Sequence, residues 1–534
     1  MQVMWAKRSV AVVAVAMLAA CGGGGGGGGG FAGSFIGVPA AGSSGAVTLS
    51  GTATYASIPN PSGALAYGSA APKPIRGASV EIVNSATAAV IATATTDGSG
   101  AYSVGLPANT QVLVRIKAQM TQAGSGATWD VTVRDNTQSD AIFALETPAF
   151  STGSGAITRD IQAPSGWDGS RYGSTRVAAP FAVLDTIYAA QAKMLSVAPG
   201  TVFPALKLYW SPNNVPAVGN PALGQIGTTS FTMSNGARAI YVLGKENVDT
   251  DEYDASVVAH EWGHYYQSAF SRDDSPGGSH ALTDKLDRRA AFSEGWGNAW
   301  SGIALARNNY TDSVGQAQGQ GANIDLTASG VVGPGWFREA SIHSILWRLN
   351  SQVGFKPIND TLTSAAFKNG VAVTSIHPFT AAFGLAAPGS ASVLAGLLTG
   401  EQISAAANDP FGVNETNDGG LGGADGVLPM YRPATVGGST RACVTNAAGA
   451  DNKLGSYVYL RFSLPGAGTH TITVTGPTNA DPDFVLYAGR QVDQSREFGA
   501  SETKAVSLPG GDNVLVINDY NNSSANTCFN VSIQ

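Results

Sequence analysis

Val257-Val-Ala-His-Glu-Trp-Gly-His264 is the stretch on which the reading of this 534-residue chain turns. His260 and His264 are four apart, so on a helix they share one face about a turn apart, close enough to bind a single metal ion. Glu261 lies beside them and can reach a water at that ion. Val257, Val258 and Ala259 give the helix an apolar side, which sets the metal at the base of a cleft. Asp249, Thr250 and Asp251 are good N-terminal caps, and Asp251, Glu252 and Asp254 suit the positive end of the helix dipole. Helical periodicity accordingly spans residues 251–270.

A five-residue pattern also arises by chance, and a site of this kind needs a third ligand. Arg288-Arg-Ala-Ala-Phe-Ser-Glu-Gly-Trp-Gly-Asn-Ala-Trp300 sets Glu294 mid-helix in apolar surroundings, where an unpaired carboxylate is costly. Binding zinc removes that cost. Two His and one Glu leave a fourth position open, the arrangement of a catalytic site rather than a closed structural one. With three cysteines in the chain, a Cys-rich structural zinc site is excluded.

His260-Glu-Trp-Gly-His264 followed by Ser293-Glu-Gly-Trp-Gly-Asn298 resembles the gluzincin clan of zinc metallopeptidases, and most of all the fungalysin branch, whose third ligand lies in a Glu-Gly-Trp-Ser-Asp sequence. The resemblance is strong from Val257 to Trp300 and weak over Pro180 to Asn350. The 29 residues between His264 and Glu294 are nearer the fungalysin spacing than that of thermolysin. The resemblance implies Zn2+ held by His260, His264 and Glu294, and hydrolysis of peptide bonds in extracytoplasmic proteins. Glu261 would act as general base and then acid toward a water that the zinc activates.

The clan places an Asp four residues after the Glu ligand. Here Asn298 stands there, which can accept a hydrogen bond from an imidazole but lacks the charge that raises ligand basicity. Weaker zinc binding or lower activity is one expectation. The clan also draws an oxyanion-stabilising donor from a His or Tyr outside the motif. His343, in Trp336-Phe-Arg-Glu-Ala-Ser-Ile-His-Ser-Ile-Leu-Trp347, is the first candidate, with a plain helix residue as its alternative role. His280, Tyr265 and Tyr310 rank behind it. The run Arg238-Ala-Ile-Tyr-Val-Leu243 is either an edge strand that pairs an extended substrate or an interior strand.

Around this centre the texture of the chain divides it. Lys7-Arg8, the apolar run from Val10 to Leu18 and Leu18-Ala-Ala-Cys21 describe a signal peptide over residues 1–20, with a run too short to span a membrane. Leu-Ala-Ala-Cys resembles the bacterial lipobox, in which Cys21 carries the lipid; an incidental Cys after an ordinary signal peptide is the alternative. Residues 21–46, with Gly22 to Gly30, read as a flexible tether. The expected address is exported and lipid-anchored to a bacterial membrane, the outer membrane or cell surface in a Gram-negative cell.

Residues 47–148 read as short alternating strands, and Pro74-Ile-Arg-Gly-Ala-Ser-Val80 with Thr96-Asp-Gly-Ser-Gly-Ala-Tyr102 resembles a transthyretin-like sandwich. Residues 149–433 mix helical and strand periodicity and form the metallopeptidase domain. Residues 434–534 return to short strands, and Asp481-Pro-Asp-Phe-Val-Leu-Tyr487 with the later Gly-Gly-Asp-Asn-Val-Leu-Val516 resembles the pre-peptidase C-terminal sandwich. The predicted fold class is multidomain: an α+β gluzincin-like metallopeptidase domain flanked by two all-β sandwich domains.

Cys443 and Cys528, near the two ends of the last module, are expected to form a disulfide, two free thiols being the alternative. Asn414-Glu-Thr-Asn-Asp418-Gly419, with Asp425 at the twelfth position, has the spacing of a calcium loop but begins on Asn and ends on Asp. A polar turn is the expected reading there and Ca2+ the open alternative, as for Asp481 and Asp483. A net charge of −7 and scattered Lys and Arg offer no stripe for nucleic acid. Protein or peptide substrate and the membrane are the expected partners. Two other functions stay open: a surface adhesion or scaffold protein that retains a zinc site without turnover, and a metal-dependent hydrolase of non-peptide amides or esters.

Overall fold

The computed structural model describes residues 45–522 and 524–534. The signal-peptide segment, Cys21 and the glycine run lie outside the described residues.

The chain builds several β-sheets with helices packed among them. At its start, Ala46–Ser57 alternates side chains between core and surface, as a half-buried strand must. It pairs antiparallel with Ala71–Pro74 and Ala101–Pro107, and parallel with Ile157–Thr158 and Ile161–Ala163. A second sheet runs Ala144–Glu146, Gln111–Lys117, Ser79–Asn84, Val90–Thr95. Leu49, Ala53 and Tyr55 of the first sheet and Val80, Ile82, Val112 and Val114 of the second share one buried core.

The next sheet crosses the expected boundary at residues 148 and 149. Its order is Ser230–Ser234, Ala237–Val242, Leu206–Trp210, Trp129–Asp135, Gln119–Gln122, with Ala141–Ile142 also paired to Trp129–Asp135, so three of its strands come from the segment read as the first sandwich. In exchange, residues 157–163 return to that sandwich. Strand pairing satisfies backbone groups wherever partners meet in space, and the two regions are therefore interleaved. Their apolar core is continuous from Val47 to Leu454.

Helices α1 (Ala179–Leu195) and α2 (Ala255–Phe270) lie against this central sheet, α3 (Arg288–Leu305) packs on α2, and α4 (Glu339–Val353) packs on α3. All four lie close to the helical periodicity of the sequence, which runs over residues 180–195, 251–270, 288–307 and 337–350. The start of α2 differs: Asp249–Thr250 is a short strand, and the helix begins at Ala255 with Asp254 as its N-cap residue. The Asp254 carboxylate makes no cap bond, because it accepts instead from Asn60 Nδ2 at 2.5 Å and from Ser313 N at 3.0 Å. In α3, Asp287 does cap, accepting from Arg289 N.

The C-terminal region is a β-sandwich. One sheet contains Arg432–Pro433, Tyr457–Leu464, Gly511–Asp519, Pro482–Tyr487 and Gln491–Ser495, the other Ser439–Val444, Thr527–Ile533, Gly468–Thr475 and Ser501–Leu508. Its interior is a separate cluster that includes Val458, Phe484, Leu515 and Phe529. Cys443 and Cys528 face each other on adjacent strands and are joined by a disulfide.

Candidate metal centre

Helices α2 and α3 cross where neither has a side chain. A Cβ at Gly263 would lie 3.1 Å from the Gly297 Cα, so the two glycines let the backbones meet. On the far side of α3, a Cβ at Gly295 would lie 2.4 Å from Ile342 Cβ on α4. Trp262 stacks on Trp300 with centroids 5.1 Å apart, and Trp296 Nε1 donates to Gly263 O at 3.0 Å. Small residues thus bring the helices close, and the indoles fill the space around them.

This crossing presents His260, His264 and Glu294 to one another. Their ligand atoms lie within 4.8 Å of each other. His260 Nε2 is 3.2 Å and His264 Nε2 3.5 Å from Glu294 Oε2, and the two Nε2 atoms are 3.1 Å apart. Tetrahedral ligands with bonds of about 2.0–2.1 Å to a single zinc stand about 3.3 Å apart, so the donor set fits that ion. His260 Nδ1 is 3.0 Å from Asn298 Oδ1. Nδ1–H therefore donates to Asn298, and the Nε2 lone pair points inward.

Burial opposes charge at His264, yet the carboxylate of Glu294 outweighs it and the pKa of that imidazole rises to about 10. In turn, burial is overcome at Glu294 by His264 and His260, which hold its carboxyl well below the ordinary value. His264 and Glu294 are thus paired charges, and a divalent cation can replace the His264 proton there.

Glu261 turns toward the central sheet. Its Oε2 accepts from Phe231 N at 2.6 Å. Phe231 lies in Ser230–Ser234, which pairs with Ala237–Val242 on one side only. The edge strand is therefore Ser230–Ser234, and Arg238–Leu243 is interior: Ala237–Val242 is hydrogen-bonded on both sides.

The four oxyanion-donor candidates separate cleanly. His343 is fully buried one helical turn beyond Glu339, against the backbone of Asp325 and Ala328. Burial pushes its pKa down to about 4. It drops out, because Glu339 is the α4 residue that reaches the cluster. Tyr265 also drops out, since its OH donates to Pro204 O at 2.6 Å. Tyr310 stays close, edge-on to His260 with centroids 6.0 Å apart. His280 comes closest: its Nε2 is 3.5 Å from Glu294 Oε2 and 3.2 Å from Glu339 Oε2.

Several partners were not foreseen. His264 Nδ1 lies 3.1 Å from Gln267 Oε1 and 3.3 Å from Ser293 Oγ, and Ser293 Oγ donates to Asp273 Oδ2 at 3.1 Å. Gln267 stands three residues after His264 on the same helical face, a spacing that could have flagged it. Glu339, buried beside His280, left no such signal. Burial, opposed by His280, pushes its carboxyl up to about 7.

The suspected calcium positions have protein partners. Glu415 accepts from His377, Ser404 N, Thr416 N and Asn417 N, and Asp425 pairs with Arg432 at 2.9 Å. Asp481 Oδ1 accepts from Gly499 N, and Asp483 is buried in its strand. Among the described residues a second trio of converging carboxylates lies elsewhere, at Asp249, Asp251 and Asp312.

No protein-family model matches the chain, and no curated protein matches it. Among solved structures, the chain is similar to the pre-peptidase C-terminal domain of collagenase from Bacillus anthracis, at 11% identity over 20% of this chain and 94% of that one, TM-score 0.17. It is also similar to the K3 cleaved adhesin domain of Lys-gingipain from Porphyromonas gingivalis, at 14% identity over 18% of this chain and 71% of that one, TM-score 0.13. A third match is PliG of Aeromonas hydrophila, a periplasmic inhibitor of g-type lysozyme, at 13% identity over 20% and 96%, TM-score 0.14. The C-terminal sandwich stands on its strand pairing, independently of these matches.

Proposed function

We propose that this chain is an exported zinc-dependent endopeptidase of gluzincin type, lipid-anchored through Cys21. The observation that carries the reading is the convergence of His260, His264 and Glu294 with Glu261 on the same helix, beside an edge strand. Zinc held there would polarise a carbonyl and acidify a water. Glu261 takes the proton from the attacking water and delivers it to the leaving amine. Asn298 and Gln267 hold the two imidazoles with their Nε2 atoms inward. The edge strand Ser230–Ser234 offers backbone groups on its free side to an extended peptide.

The test is metal analysis with hydrolysis of a denatured protein, comparing wild type with Glu261→Gln and Glu294→Ala. Glu261→Gln is expected to keep zinc and lose cleavage, and Glu294→Ala to lose zinc. Bound zinc without Glu261-dependent cleavage of peptides would leave the adhesion or scaffold reading, motivated by Asn298. Glu261-dependent cleavage of amides or esters alone would leave a non-peptide hydrolase.

A further inference from the structure

The segment between α2 and α3 carries His280 and has no helix or strand of its own from residue 272 to 282. Its conformation is held from outside. Asn452 Nδ2 donates to Gly277 O at 2.9 Å, and Lys453 Nζ donates to Ser279 O at 2.8 Å. Lys453 Nζ also lies 3.4 Å from Asp284 Oδ2, the oxygen that accepts from Ala281 N. The two peptide groups on either side of His280 are thus both tied to one ammonium. Gly277 and Gly278 have φ of +65° and +99°, values L side chains rarely adopt, and Asn452 is packed against Gly278.

The contact continues to the start of α3. Leu454 N donates to Lys285 O at 2.9 Å and Asp287 N to Asn452 O at 2.7 Å. Tyr459 OH donates at 2.5 Å to Asp287 Oδ2, the carboxylate that caps α3. The Arg288 guanidinium lies 3.9 Å from the centroid of the Tyr459 ring. Asn452, Lys453 and Leu454 belong to the loop between strands Ser439–Val444 and Tyr457–Leu464 of the C-terminal sandwich. Leu454 is buried within the main core of the chain rather than that of the sandwich. A merely tethered module would make no such contacts.

We propose that the C-terminal sandwich is a working part of the metal centre: Asn452 and Lys453 are positioning residues that hold His280 beside the open metal position. There the His280 Nε2–H would donate to the oxyanion of a bound substrate. Gly278 O, 3.3 Å from Nδ1, aims the ring, and Glu339 Oε2, 3.2 Å from Nε2, holds the Nε2–H until the oxyanion takes it. This rests on His260, His264 and Glu294 forming the metal centre.

The experiment uses the full chain and compares wild type, His280→Ala, Lys453→Met, Lys453→Arg and the His280→Ala/Lys453→Met double variant. Four quantities are measured: metal per chain, the affinity of the cobalt-loaded protein for acetohydroxamate from its visible absorption, and kcat and KM on a peptide. Lys453→Met is expected to keep one metal per chain, weaken acetohydroxamate about tenfold, as for one lost hydrogen bond, and lower kcat with KM little changed. Lys453→Arg, which keeps a donor, restores most of the loss, and adding Lys453→Met to His280→Ala costs nothing further. Losses that multiply in the double variant, or unchanged acetohydroxamate affinity in His280→Ala, overturn the proposal. If acetohydroxamate binding depends on His280 while no cleavage depends on Glu261, the peptidase reading fails and the positioning role stands. If Glu261-dependent cleavage survives His280→Ala at the wild-type rate, only the positioning role fails.

Discussion

The imidazole of His260 occupies the place that a side chain at Gly297 would take. A Cβ there would lie 2.7 Å from His260 Cε1, inside van der Waals contact, so Gly297→Ala must turn the ring away from Glu294. Zinc affinity is expected to fall at least roughly tenfold, measured by competition with a chromophoric chelator. At the second acidic trio, burial and the neighbouring Asp312 charge push the Asp249 carboxyl up to about 7 from an ordinary 3.8. Between those values the folded chain keeps a proton that the unfolded chain has lost. Stability from this group therefore declines as pH rises from about 4 to about 7 and levels off above. Asp249→Asn removes that slope: its thermal midpoint is expected to match wild type near pH 4 and exceed it at pH 8. At this scale the converging side chains were legible because residue type and a four-residue spacing suffice for two of them. The partners Gln267, Ser293 and Glu339 were not, since hydrogen-bond partners depend on which elements meet.

Helices were legible as elements because their apolar periodicity is local, and α1 to α4 lie close to where the pattern put them. The start of α2 was misread, because Asp249, Thr250 and Asp251 satisfy capping rules in isolation, yet Asp249–Thr250 is drawn into strand pairing with Gly244–Lys245 and, at Asp249, with Val314. Edge and interior strands likewise differ only in their neighbours, which sequence does not state. Ser230–Ser234 pairs in register with Ala237–Val242, and Phe231 N points away from it to Glu261. By the alternation of an antiparallel ladder, Met233 N–H also faces outward. Met233→Pro keeps the ladder and removes that donor, a change edge strands tolerate. KM for an extended peptide is expected to rise about tenfold with kcat little changed, and steady-state kinetics on a peptide series checks this.

Across the whole molecule, the expected modules share more than a chain. The first sandwich and the helical region exchange strands and one core, and the C-terminal sandwich braces the segment between the two helices of the metal site. The Cys443–Cys528 disulfide closes a separation of 85 residues. Its loss in Cys443→Ser is expected to destabilise the chain by about 2–4 kcal/mol in denaturant unfolding. If the sandwich holds His280 as argued, acetohydroxamate affinity falls in the same denaturant range. By itself the sequence determined His260, Glu261 and His264 and the helix that carries them, because these follow from short-range spacing, and it singled out Glu294 and the disulfide pair, because a carboxylate in apolar surroundings and the two cysteines of the last module follow from residue chemistry. Only the tertiary structure decided which strand is the edge, where one module ends and which further histidine stands beside Glu294. Those are matters of which surfaces pack together, and packing joins residues such as Lys453 and Ser279 that are far apart in the chain.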